Sequence, residues 1–108
     1  IKKDYLLKLL QQVYEVIANA REKYDEGAAE EAIILCQGSY SRLLGLTVED
    51  ISGEDSFERL LNKQQTDIKE LNALALLLSE EAEILVQTGE NAKAQQRCML
   101  ALQIFDYL

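Results

Sequence analysis

YDEGAAEEAI, Tyr24 to Ile33, and VQTGENAKAQ, Val86 to Gln95, are two copies of one pattern set 62 residues apart. At that offset Gly27 falls on Gly89, Ala20 on Ala82, Ala32 on Ala94, Cys36 on Cys98 and Leu43 on Phe105. A glycine takes the left-handed cap conformation at no steric cost, so it ends a helix cleanly. The alanine five residues later lets a second helix lie close against the first. Each copy therefore marks a helix-turn-helix hairpin.

Outward from the two turns, the apolar residues recur at helical spacing. The first helix spans about Lys3 to Asp25, with Leu6, Leu9, Leu10, Val13, Val16, Ile17, Ala20 and Tyr24 inward. Leu7, Tyr14 and Ala18 widen that stripe, so this helix is expected to touch two neighbours. The second spans about Ala28 to Leu44, with Ala29, Ala32, Ile33, Cys36, Tyr40 and Leu43 inward, and Gly45 ends it. In the second half, a helix from about Thr66 to Thr88 carries Ile68, Leu71, Leu74, Ala75, Leu78, Ala82, Leu85 and Val86 on its main stripe. Ala73, Leu77 and Ile84 form another. A last helix, about Glu90 to Tyr107, turns Ala94, Cys98, Ala101, Leu102 and Phe105 inward, with Leu100, Ile104 and Tyr107 elsewhere.

Between the hairpins, Thr47 is a helix N-cap with Asp50 at the third position and a Leu46/Ile51 hydrophobic staple around them. Ser52-Gly53 breaks that turn. Asp55 to Leu61 forms a second short helix burying Phe57, Leu60 and Leu61, and Asn62 to Gln65 is a polar connector. The expected fold is all-α, a single helical domain over residues 1–108 with about five helices: hairpin 3–44, insert 45–65, hairpin 66–108. The composition agrees. Proline is absent, glycine appears five times, and 48% of residues are hydrophobic against 28% charged, the balance of a folded domain.

The formal net charge of −8 disfavours nucleic acid and anionic membranes as partners. No stretch approaches the length of a membrane span and no basic-then-apolar leader opens the chain, which leads us to expect a cytoplasmic protein. Cys36 and Cys98 both fall on apolar stripes, so both are expected free and buried.

The segment from Gly27 to Ile33 followed by Cys36 and Ser39, and that from Gly89 to Ala94 followed by Cys98 and Ala101, resemble the second half of a tetratricopeptide repeat. The resemblance implies close contact through Ala20 and Ala32 in one hairpin and Ala82 and Ala94 in the other. Ser39 stands where the repeat has alanine, Lys23 where it has an apolar residue, and the offset of 62 is not the ~34 of a continuous array. It therefore implies two such hairpins separated by an insert. The chain also resembles an uncharacterised family of small proteins from Gram-positive bacteria, through Asp4-Tyr5-Leu6-Leu7-Lys8-Leu9-Leu10 and Leu44-Gly45-Leu46-Thr47.

Little in the residue inventory suggests chemistry. There is no histidine, no Gly-rich phosphate loop and no Gly-x-Ser-x-Gly, and the cysteines lack a partner for a zinc site or a catalytic pair. Glu80, Glu81 and Glu83 cluster on one helix, and Asp25, Glu26, Glu30 and Glu31 at the first turn. Both read as solvated faces, because helical-bundle metal sites pair glutamate with histidine. The expectation is a non-catalytic protein-interaction or scaffold domain with no cofactor and no metal. The alternative is a ligand- or metal-sensing regulatory domain using carboxylates in a helical cleft. Surplus apolar positions place the expected interaction surface at Leu7, Tyr14, Leu77 and Ile84, with Glu80, Glu83 and Arg21 on its rim. Some tetratricopeptide domains clamp a peptide carboxylate with Lys and Asn; Ser79, Glu80 and Glu83 stand at the matching places, so the implied peptide is basic. A homodimer is the other partner considered.

Overall fold

A computed structural model describes residues 2–63 and 67–108. Six helices make up the described chain, with no strand among them: α1 (Lys2–Asp25), α2 (Ala29–Leu44), α3 (Val48–Ser52), α4 (Ser56–Asn62), α5 (Ile68–Gln87) and α6 (Asn91–Tyr107). The fold is all-α. Gln64, Gln65 and Thr66, the end of the expected connector and start of the next helix, lie outside the described residues.

The two turns close through the same hydrogen bonds. After α1, the Gly27 N–H donates to the Tyr24 carbonyl at 3.0 Å and the Ala28 N–H to the Lys23 carbonyl at 2.8 Å. After α5, the Gly89 N–H donates to Val86 at 3.2 Å and the Glu90 N–H to Leu85 at 2.9 Å. These pairs are a Schellman cap, which needs a left-handed residue at its hinge. Gly27 has φ of 85° and Gly89 of 83°, with nothing near the position of an added Cβ. A substitution is therefore penalised by the backbone alone. We expect Gly89→Val to lower stability by about 1–2 kcal/mol and Gly89→Asn by distinctly less, because asparagine tolerates this region. Equal urea midpoints for the two variants would remove the cap argument.

Packing follows the hairpins and then joins them. α1 lies on α2 and α5 on α6, while α5 also packs against α2 and α1. α5 is thus covered on two sides. Leu71, Leu74, Leu77 and Leu78 of α5 share the main core with Leu9, Val13 and Val16 of α1, Tyr40 of α2, Ile51, Leu60, and Leu100 and Ile104 of α6. A smaller cluster at the turn end joins Ala20, Ala32 and Cys36 to Ile84 of α5. The shortest molecular dimension, 21 Å, is two helices thick.

The insert follows its sequence signals. The Asp50 N–H donates to Thr47 Oγ1 and the Thr47 N–H to Asp50 Oδ2, which completes the capping box. The Thr47 N–H holds the Asp50 carboxyl below its ordinary value. Leu46 and Ile51 are buried as the staple requires, and α3 and α4 pack against α6.

Several expectations are corrected. Ile68, Val86 and Leu61 are exposed. On α6, Cys98, Leu102 and Phe105 face outward, whereas Arg97, Leu100 and Ile104 join Ala94 and Ala101 inside. The physical reason is neighbour geometry. α6 sits at the edge of the fold against α5, α3 and α4, and nothing in the described chain lies over its other side.

Candidate functional site

A carboxylate and a guanidinium are buried together at the middle of the fold. Glu81 of α5 has no exposed surface, and Arg97 of α6 is almost as deep. Glu81 Oε1 accepts from Arg97 Nε at 2.8 Å and from the Tyr40 hydroxyl at 2.7 Å, and Oε2 accepts from Gln37 Nε2 at 3.1 Å. Arg97 Nη1 also donates to the Ile51 carbonyl at 3.4 Å, to Ser52 Oγ at 3.5 Å and to Gln96 Oε1. The pair thereby ties α2, α3, α5 and α6 together, and no buried side-chain nitrogen or oxygen among the described residues lacks a partner. A charge buried without such partners would be strongly unfavourable. The network is built to hold helices in register, since its acceptors and donors are consumed by one another.

The acidic cluster on α5 is corrected accordingly. Glu80 and Glu81 are buried and only Glu83 is solvated. Glu81 lies on the Leu77/Ile84 stripe and Arg97 on the Leu100/Ile104 stripe. Opposite charges on two apolar stripes were the signal available in the sequence. Glu80 Oε1 accepts from Arg21 Nε at 2.8 Å, so α1 supplies its cation.

The expected interaction surface is split by the structure. Leu7, Tyr14 and Ala18 are exposed on α1. Leu77 and Ile84 are 0% and 2% exposed, in the main core and the turn-end cluster respectively, and do not reach a partner. The stripe surplus to one hairpin is used to join the two hairpins. Arg21, Glu80 and Glu83 do come together, in a cleft of about 340 Å³ with Asp25 and Gln87, where the Arg21 guanidinium engages Glu80. Among the described residues no three His, Cys, Asp or Glu side chains are grouped to hold a metal ion. No described helix is long and apolar enough to cross a membrane.

The thiols differ. Both are free, but Cys36 is buried and Cys98 exposed, which corrects the expectation for Cys98. A thiol reagent should label one site per native chain, Cys98, and a second only on unfolding. Two rapid sites in the native protein would contradict the packing around Cys36. Burial, with the Glu81 and Glu80 charges behind it, pushes the Cys36 thiol up to about 12 from 9.0. Burial and the Glu81 charge likewise raise the Tyr40 hydroxyl well above its ordinary value. Folded chains then keep these protons where unfolded chains release them. The contribution is whole below about pH 9 and is lost as pH rises through the folded value. At about pH 10.5 the Cys36 share of that loss should reach about 2 kcal/mol. Urea midpoints of wild type and Cys36→Ala, compared at about pH 8 and about pH 10.5, isolate it as a shallower fall in the variant.

Several large apolar side chains are exposed on the second hairpin. Val86, Met99, Leu102 and Phe105 are 40–56% exposed along its outer side. Val86, Met99 and Cys98 border a groove of about 550 Å³ whose lining includes Ala82 and Ala94. Glu83 stands at its edge. Compared with protein-family models, with curated proteins and with solved structures, the chain matches none.

Proposed function

We propose that the chain is a non-catalytic protein-interaction or scaffold domain built from two tetratricopeptide-like hairpins. The observation that carries this reading is the uncovered apolar side of α5 and α6, where Val86, Cys98 and Met99 border one groove and Leu102 and Phe105 are exposed further along α6 on the Cys98 side. Apolar patches of this kind mark association surfaces. The exposed Leu7 and Tyr14 of α1 add a second face. Two of the three α5 carboxylates that a sensing domain would use are engaged by the fold, Glu81 by Arg97, Tyr40 and Gln37 and Glu80 by Arg21, and Glu83 is the one left to solvent. The acidic surface steers basic partners and disfavours acidic ones. Affinity capture of the tagged chain from its native cells tests the reading. A protein retained in stoichiometric amount, and lost with Met99→Gln/Leu102→Gln or Leu7→Gln/Tyr14→Gln, supports it. Retention no different from that of an unrelated protein of equal charge counts against it.

A further inference from the structure

The internal repeat states what should cover the uncovered side. On the first hairpin Tyr24, Cys36, Gln37 and Tyr40 lie against α5, which packs on both α1 and α2, and Leu43 packs on the core that α5 shares. Sixty-two residues on, the same places hold Val86, Cys98, Met99, Leu102 and Phe105. All five of these are exposed. The second hairpin therefore repeats a helix-binding side with no described helix upon it.

α5 also shows how its first hairpin is read. Its Ile84 presses on Ala20, Ala32 and Cys36, its Glu80 meets Arg21, and its Glu81 meets Gln37 and Tyr40. The repeat changes two of these three sites. Ala82, Ala94 and Cys98 keep the apolar seat. Glu83 replaces Arg21, which reverses the charge. Met99 and Leu102 replace Gln37 and Tyr40, which removes the hydrogen-bond donors. A helix lying there as α5 lies on the first hairpin needs a cation where α5 has Glu80, and apolar side chains where it has Glu81 and Ile84.

We propose that the α5–α6 groove docks an α-helix of a protein partner that carries Lys or Arg followed by apolar residues at the next and the fourth positions. A second copy of this chain fits poorly. Of its 11 cations only Arg42 and Arg97 are followed in that way. Arg42 lies two residues from the end of α2, and Arg97 is buried against Glu81. The overall charge of −8 also favours a basic visitor over a second acidic chain.

The inference rests on the interaction reading and is tested separately from it. The probe is a synthetic helical peptide of about 18 residues with Lys-Leu-Ala-Ala-Ile at its centre, beside the same peptide with Glu for Lys. The Lys peptide should slow alkylation of Cys98 and bind about fivefold more tightly than the Glu peptide. Glu83→Arg should invert that preference. Met99→Gln with Leu102→Gln should weaken binding about tenfold without shifting the melting temperature, since both side chains are more than half exposed. Equal binding of the two peptides, unaffected by Glu83→Arg, overturns the proposal. So does shielding of Cys98 that grows with protein concentration alone, which assigns the groove to a second copy. Loss of binding through Leu7→Gln/Tyr14→Gln instead moves the contact to α1 and leaves the interaction reading standing. That reading fails only with the native-cell capture.

Discussion

Arg97→Met should be the most damaging single change outside the hydrophobic core, lowering stability by about 3–5 kcal/mol. The substitution leaves the Glu81 carboxylate with no exposed surface and only Tyr40 and Gln37 as donors. It also strips the Ile51 carbonyl and Ser52 hydroxyl of the Arg97 contacts that hold α3. A loss of this size is a large part of the ~5–15 kcal/mol available to a small domain. The pair itself need not be strongly stabilising, because desolvating two charges offsets most of their attraction. Hence Glu81→Gln with Arg97→Met, which removes both charges together, should be more stable than Arg97→Met alone. Urea unfolding of the singles and the double gives the coupling directly. Arg59→Met, at an exposed guanidinium paired with Asp55, serves as a control and should change stability by no more than about 1 kcal/mol. A double variant weaker than the sum of its singles would show that the network acts through packing rather than charge.

What could be read from the sequence was what depends on a few neighbouring residues. The turns at Gly27 and Gly89 were legible because a left-handed cap is glycine's own local chemistry, and the Thr47/Asp50 box because its two bonds span three residues. The inward stripes of α1 and α2 were legible for a related reason, since both helices are closed in by neighbours. α6 was misread because its helical period fixes which residues share a side, not whether another helix covers it. Cys98, Leu102 and Phe105 share one side as Cys36, Tyr40 and Leu43 do; the first three are exposed and the second three are not. The Glu81–Arg97 pair spans 16 residues, and the neighbouring glutamates made Glu81 read as part of a solvated face. The places of Glu81 and Arg97 on two apolar stripes carried the opposite message.

Leu77→Ala and Ile84→Ala should each cost about 2–5 kcal/mol, while Leu7→Ala and Tyr14→Ala should stay within about 0.5 kcal/mol of wild type. All four positions are surplus to the stripe that closes a single hairpin, so helical periodicity alone puts them in one class. The structure divides them by what lies opposite. Leu77 meets the main core between the hairpins, and Ile84 sits on the close-packed alanines Ala20 and Ala32. Truncating either removes a buried side chain and leaves a cavity between α5 and the helices packed on it, which the surroundings fill only in part. Leu7 and Tyr14 are 52% and 58% exposed and have no such enclosure to lose. Ile84→Ala should fall below Leu77→Ala within the range, because small residues line its seat and the turn end can relax. Urea midpoints read at constant m-value provide the comparison. Losses of less than about 1 kcal/mol at Leu77 and Ile84 would mean that α5 does not bridge the hairpins, and the helix-docking logic inferred for α6 would lose its template.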